Sequence, residues 1–191
     1  MLFRSDWGVD LVSLSAHKIH GPVGIGALVV RKGVSLSPLL RGGSQEGGLR
    51  PGTLNAAGVV GFGAAVELCS TEEMKRIASL RDSLWLAIRQ NFPNAILNGS
   101  IQNRAPHNLH VTFPGKVAAD LASALDRKRV CVSTGSACRA GSRKPSHVLA
   151  ALNPGEPARD GLRISLSRFT SEEEVQRFVE ILRGQIGRAH V

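Results

Sequence analysis

The chain has 191 residues, of which 42% are hydrophobic and 20% charged, the composition of an ordinary globular protein. No apolar run is long enough to cross a bilayer and no secretory signal pattern opens the chain, so we expect no membrane segment. The formal net charge is +9, but the basic residues are scattered and aromatics are only 4%, which argues against a nucleic-acid surface. An odd count of three cysteines favours a reduced, cytoplasmic protein.

The first predicted elements surround a histidine–lysine pair. Apolar runs predict one strand over Val9–Leu14 and a second over Ile25–Arg31, the latter buried on both faces. Between them, "SAHKIHGP" places Lys18 on a loop beside apolar sequence, where a partly neutral amine can form a Schiff base with a carbonyl. Ser15 and His17 can donate hydrogen bonds to a phosphate. On this motif alone, a surface lysine in a turn is the simpler interpretation.

A glycine-rich segment follows the second strand. It contains "RGGSQEGGLRPGT", in which glycines allow a backbone to approach a ligand closely and Arg50 adds positive charge. We predict a helix over Thr53–Leu68, so that the Thr53 hydroxyl and the free N–H groups of the first turn suit a phosphate. Taken alone, the segment is equally consistent with a flexible surface loop.

The rest of the chain predicts a small α+β layer with helices on one side of a short sheet. Ser70 with Glu73 forms a capping box for a helix that runs to about Gln90. Its apolar positions, which follow helical spacing, are Ile77, Leu80, Leu84 and Ile88. The remaining predictions are strands at Ala95–Leu97, Leu109–Phe113, Arg129–Ser133 and Leu162–Leu166, helices at Ala118–Asp126 and Pro145–Leu152, and a closing helix from the Ser171–Glu174 capping box to about Arg183.

A candidate reactive cysteine lies in "STGSACRAGSRKPSHVL". Cys138 stands among small residues with basic side chains nearby, a setting that favours exposure and the thiolate. Cys131, in the apolar "RVCVS", and Cys69, at a helix end, are interpreted as packing residues. The spacing of Cys131 and Cys138 is not that of a zinc site and His147 does not complete one, so we expect no metal.

A candidate carboxylate-binding arginine lies in "LRISLSRFTSEEE". Arg163 is in the middle of an apolar strand, where an unpaired charge is costly. Its guanidinium can bind a substrate carboxylate through two hydrogen bonds, or it can form a salt bridge to a nearby acid. We expect Arg168 to cap or pair with the acidic start of the next helix.

Together and in this order, the four motifs resemble the cysteine desulfurases, pyridoxal-phosphate enzymes of the aminotransferase class V group, in the branch that serves the Nif and Isc iron–sulfur systems. The resemblance extends from about Val9 to Arg183. It implies an α/β architecture, the fold type I of pyridoxal-phosphate-dependent transferases, in truncated form. The chain then holds the end of the large-domain sheet and a small C-terminal α+β domain.

The resemblance also implies site residues. Lys18 carries pyridoxal 5′-phosphate, and Ser15 and His17 hold its phosphate. Thr53 reaches the cofactor of a partner subunit, so the intact protein is expected to be a homodimer.

On the substrate side, Arg163 binds the α-carboxylate of L-cysteine. Cys138 takes the sulfur as a persulfide, leaving L-alanine, and passes it to an acceptor such as an iron–sulfur scaffold protein. Neither nucleic acid nor a membrane is an expected partner.

The expected domains are 6–70, the end of the large domain, and 71–184, the small domain with the cysteine loop. The terminal residues 1–5 and 185–191 match translated sequencing-library adapters and are treated as scars. Family members are about twice as long, and further cofactor contacts belong to the missing N-terminal part. We therefore expect the isolated chain to be inactive and poorly stable, with an open sheet edge and an exposed core.

Three alternative functions remain open. Selenocysteine lyase shares the lysine chemistry, and a class V aminotransferase would not need a cysteine at position 138. A basic, non-catalytic binding module would carry no cofactor and would bind nucleic acid in a salt-sensitive manner.

Overall fold

A computed structural model describes residues 8–134, 146–152 and 161–187. The chain divides into two compact units, Met1–Ser70 and Thr71–Val191. Within the described residues, no helix is sufficiently long and apolar to span a membrane. The assignment of the first unit to a large domain, and of the termini to scars, remains a prediction.

The first unit contains a β-hairpin. Strands β1 (Leu11–Ser15) and β2 (Gly26–Val30) pair antiparallel and are joined through a 3₁₀ helix at Ala16–Ile19. Both strands were predicted, but the expectation that β2 is buried on both faces is wrong for this chain, since Leu28 is 53% exposed. The reason is that, among the residues described in this unit, the sheet is two strands wide, so each strand is an edge.

Helix α1 (Ala56–Glu67) completes this unit and begins later than predicted. Asn55 is its N-cap, and the Asn55 side chain accepts a hydrogen bond from the Gly58 amide at 3.0 Å. An asparagine is among the best N-cap residues, so the helix starts there and not at Thr53. The argument that Thr53 opens the helix is therefore wrong, although its proposed role in binding is a separate question.

The second unit is built on a three-stranded antiparallel sheet of order β3-β4-β5. Its strands are β3 (Ile96–Leu97), β4 (Asn108–Thr112) and β5 (Leu162–Ser165), and its helices are α2 (Thr71–Asn91), α3 (Ala118–Asp126), α4 (His147–Leu152) and α5 (Glu172–Ile186). The predicted capping box of α5 is confirmed, because Ser171 and Glu174 exchange side-chain and backbone hydrogen bonds.

The core of this unit lies between one face of the sheet and three helices. The predicted apolar stripe of α2 is confirmed, since all four of its positions are buried. Leu109 and Val111 of β4 and Leu162 and Ile164 of β5 face the same cluster as the buried residues of α2, α3 and α5. The alternate positions of β4 and β5 are polar, so the opposite face of the sheet has a different chemistry.

The strand predicted at Arg129–Ser133 is absent. Arg129 adopts a left-handed conformation with φ 60°, and only Ser133 forms an isolated β-bridge, to Arg163. The turn that follows α3 uses the local backbone hydrogen bonds, so this segment reaches β5 at a single point. Cys131 is consequently exposed, and its interpretation as a packing residue is wrong. Cys69 is partly buried and its thiol donates to the Ala65 carbonyl at 3.4 Å.

Candidate active site

The turn that carries Lys18 is fixed by its backbone. Ala16 is fully buried, and its amide donates to the Ile25 carbonyl at 3.1 Å. The Gly21 amide closes the turn onto the Ala16 carbonyl at 2.9 Å, and His20 takes a left-handed conformation with φ 65°. Backbone hydrogen bonds thus fix the start of the turn to the opposite side of the hairpin and close the turn at its end.

The predicted cofactor residues of this unit lie together on that turn. Ser15 ends β1 and is half-buried, while His17 and Lys18 follow on the 3₁₀ helix with exposed side chains. The described residues of this unit therefore do not provide the apolar surroundings expected for Lys18. They do present an amine, an imidazole and a hydroxyl within four consecutive positions.

Helix α1 braces the same turn through glycines. A Cβ atom added at Gly61 would lie 2.5 Å from Pro22 Cγ, and one added at Gly21 would lie 3.0 Å from Ala65 Cβ. Real Cβ atoms do not tolerate such distances without movement of a neighbour. The glycines thus allow the helix to pack directly behind the turn of Lys18.

Thr53 lies between the glycine-rich segment and α1, and its side chain is exposed. Upstream, Glu46 and Gly47 adopt positive φ values of 50° and 65° within a 3₁₀ helix. The Gly52 amide donates to Gln45 Oε1 at 3.2 Å, which folds the segment back on itself. The expected approach of Thr53 to a partner subunit stays a prediction.

Arg163 occupies the middle of β5, as predicted, and is half-buried. Its backbone exchanges two hydrogen bonds with Ser133, at 3.1 and 2.6 Å. Among the described residues, no carboxylate lies within ion-pair distance of its guanidinium. The salt-bridge alternative therefore finds no support in that part of the chain. Cys138 follows Ser133 by five positions and lies outside the described residues, so its role stays a prediction.

A polar row crosses the sheet at Arg163, and the sequence reasoning missed it. His110 of β4 pairs directly with Arg163. The Asn98 amide donates to the His110 carbonyl at 2.9 Å, and the Asn98 side-chain nitrogen lies 3.0 Å from His110 Nδ1 and 2.9 Å from Thr112 Oγ1. The alternation of polar and apolar residues in "NLHVTF" was the available signal.

The turn after β5 is tied to the start of α2. Arg168 forms an ion pair with Glu73 at 2.6 Å, so its observed acidic partner lies in the first turn of α2 and not, as expected, in the helix that follows. Arg76 donates to the carbonyls of Arg168 and Thr170 at 2.6 and 3.1 Å. These contacts fix the end of the strand that carries Arg163.

Two titratable groups of the second unit have shifted pKa values. Burial lowers the pKa of Arg104, and the neighbouring charge of Arg81 lowers it further. Burial also lowers the pKa of His107, so the neutral imidazole is favoured. In the part of the chain that the structure describes, no three His, Cys, Asp or Glu side chains are grouped to hold a metal ion.

The family follows from a direct comparison. The profile described as Aminotransferase class-V matches residues 4–178. The chain belongs to the class V aminotransferase family. The resemblance drawn from the four motifs is thereby confirmed.

Individual members of the family give the same result. The chain is 42% identical over 179 residues to "Cysteine desulfurase IscS" of Dictyoglomus turgidum, covering 92% of this chain and 45% of the relative. It is 46% identical over 178 residues to "Cysteine desulfurase" of Bradyrhizobium diazoefficiens, covering 91% and 45%. The chain therefore spans a little under half the length of these curated relatives.

Solved structures of the family share this fold. A "NifS-like protein" superposes with a TM-score of 0.81 at 34% identity, covering 94% of this chain and 47% of that one. The NifS-like protein from Rickettsia africae gives 0.81 at 29% identity, covering 96% and 49%. The expected partial α/β transferase fold is confirmed.

Proposed function

We propose that this chain is the lysine- and arginine-bearing part of a pyridoxal-phosphate-dependent cysteine desulfurase. The observation that carries the proposal is that curated relatives at 40–46% identity are named cysteine desulfurases. The proposed reaction converts L-cysteine and the Cys138 thiol into L-alanine and a Cys138 persulfide. One sulfur atom is transferred, and the carbon that loses it gains a proton.

The turn after β1 fits the cofactor. It combines an exposed amine with two hydrogen-bonding side chains, and it is braced by α1 through Gly61 and Pro22. Lys18 would hold pyridoxal 5′-phosphate, with Ser15 and His17 on its phosphate and Thr53 contributing from the partner subunit of a homodimer. When bound, this cofactor supplies an electron sink that stabilises carbanions.

The other residues divide the remaining work. The Lys18 amine holds and moves protons beside the substrate. The Arg163 guanidinium offers a two-pronged site for the α-carboxylate. The basic neighbours of Cys138 in the sequence favour its thiolate, which is the sulfur-accepting form.

The persulfide implies a sulfur acceptor, and we propose a protein acceptor such as an iron–sulfur scaffold. We place the reaction in the cytoplasm, a reducing compartment that keeps the three cysteines of the chain as thiols.

The proposal is tested in a hybrid enzyme in which this chain replaces the matching part of the Dictyoglomus turgidum relative. The hybrid is expected to release sulfide and alanine from L-cysteine. Lys18→Ala should abolish both, whereas Lys32→Ala, at an exposed lysine after β2, should not. Incubation with pyridoxal phosphate, borohydride fixation and peptide mapping should label Lys18.

The cysteine and arginine roles have matched variants. Cys138→Ala should keep the Lys18 label and lose sulfur transfer, while Cys131→Ala, at the exposed neighbouring cysteine, should transfer sulfur normally. Arg163→Lys should raise the KM for L-cysteine, because an ammonium cannot reproduce the two-pronged contact. Full activity of Cys138→Ala on another amino acid would make the protein an aminotransferase. A folded hybrid that takes up no cofactor would refute the enzyme proposal altogether.

A further inference from the structure

We propose that His110 is a positioning residue for Arg163. Its imidazole holds the guanidinium in the orientation that receives the substrate carboxylate. The inference rests on the proposed function, because it deepens the role that Arg163 has there.

The register of the sheet places the two side chains together. His110 is directly opposite Arg163 in the antiparallel pair β4–β5, flanked by the pairs Leu109–Ile164 and Val111–Leu162. Directly opposed residues project from the same face, with Cβ atoms roughly 4.5–5.5 Å apart. Because the flanking pairs face the core, His110 and Arg163 share the opposite, polar face.

The imidazole is itself held in place. Asn98, only 4% exposed, donates from its side chain to Thr112 Oγ1 and lies 3.0 Å from His110 Nδ1. This contact, together with the hydrogen bond from Asn98 to Thr112, fixes the orientation of the ring. A ring fixed in this way limits the rotamers that the neighbouring Arg163 side chain can adopt.

Arg163 needs such a neighbour. In the part of the chain that the structure describes, its guanidinium has no ion-pair partner to restrict it. An arginine has a large rotamer entropy, and ordering it on binding weakens the affinity for the ligand. A side chain that orders Arg163 beforehand therefore improves the binding of a carboxylate.

Kinetics of the hybrid enzyme separate this role from a general loss of structure. His110→Ala is expected to raise the KM for L-cysteine about five- to tenfold, the order of effect of ordering one flexible side chain, with kcat within about twofold. His110→Asn keeps an acceptor near the Nδ1 position and should recover most of the loss. The control is Asn108→Ala, on the same face of β4 but opposite Ser165, and it should leave KM unchanged.

A second measurement does not depend on activity. Phenylglyoxal modification of the cofactor-free hybrid, followed by peptide mapping, reports how freely Arg163 moves. His110→Ala should speed the modification of Arg163 several-fold, while Asn108→Ala should not. Acetate, a simple carboxylate probe, should protect Arg163 in the parent hybrid and less well in His110→Ala.

The outcomes distinguish this inference from the proposed function. If Arg163→Lys raises KM but His110→Ala changes neither KM nor the modification rate, the inference is overturned and the proposed function stands. If His110→Ala lowers kcat and KM is unaffected, the residue does not act through the carboxylate site and the inference is also overturned. If Arg163→Lys leaves KM unchanged, the proposed role of Arg163 fails, and the inference fails with it.

Discussion

Two glycines of α1 should respond in opposite directions to the same substitution. Gly63→Ala adds a Cβ with no heavy atom within 4 Å, so the variant gains only helix propensity. That gain is about 1 kcal/mol. Gly61→Ala gains the same propensity but places its Cβ 2.5 Å from Pro22 Cγ.

The clash should outweigh the gain. Overpacking costs about 1–3 kcal/mol, so Gly61→Ala should be destabilising by roughly 0–2 kcal/mol after the helix gain of about 1 kcal/mol is subtracted. The strain acts on Pro22 and hence on the turn of Lys18. Lower cofactor uptake by the hybrid should therefore accompany lower stability.

Hydrogen exchange of the hybrid enzyme, read by mass spectrometry, measures both effects locally. Gly63→Ala should slow exchange in α1 about fivefold, the factor for 1 kcal/mol. Gly61→Ala should speed exchange in α1 and in residues 16–22, by up to about thirtyfold for 2 kcal/mol. Equal slowing in both variants would refute the conclusion that α1 packs against Pro22.

Three further predictions concern the second unit, all measured by urea unfolding of the hybrid enzyme. Leu84→Ala, in the buried stripe of α2, should lower the free energy of unfolding by about 2–5 kcal/mol. Leu86→Ala, at an exposed position of the same helix, should change it by less than about 0.5 kcal/mol. Similar losses in the two variants would contradict the assignment of Leu84 to the core. Ser171→Ala removes the N-cap of α5 and should lower the free energy of unfolding by about 1 kcal/mol, while Ser171→Asp should retain most of the stability. An unchanged urea midpoint in Ser171→Ala would show that the cap does not stabilise the protein. The pKa of His107 is lowered by burial from 6.5, so the unfolded chain binds its proton at a higher pH than the folded chain. The contribution of His107 to the free energy of unfolding should therefore be complete above about pH 6.5 and decrease as the pH drops below it. In His107→Gln the free energy of unfolding should depend less on pH in this range. An identical pH profile in the variant would exclude His107 as the cause.

Sequence patterns predicted the second unit well because its elements carry strong local signals. The stripe of α2 and the capping box of α5 fix both helices without reference to the rest of the fold. Alternation in β4 and β5 likewise separates a core face from a polar face. The resemblance to the family rested on four short motifs that occur in a fixed order.

The errors arose where several local signals compete or where tertiary contacts decide. Thr53 and Asn55 are both acceptable caps, and only the structure selects Asn55. The apolar "RVCVS" reads as a strand, but Arg129 turns left-handed and only Ser133 reaches β5. His110 was overlooked because its importance comes from the strand opposite, which lies more than fifty residues away along the chain.

The backbone bridge between Ser133 and Arg163 limits how far Cys138 can carry sulfur. Cys138 is five positions after Ser133, and a fully extended chain spans at most about 3.3–3.6 Å per residue. On the proposed function, the Cys138 backbone can therefore travel no more than about 18 Å from this bridge. An acceptor must come within that distance, extended only by the cysteine side chain, of the strand that holds the substrate arginine. The same backbone bridge therefore limits both where sulfur is taken up and where it is passed on.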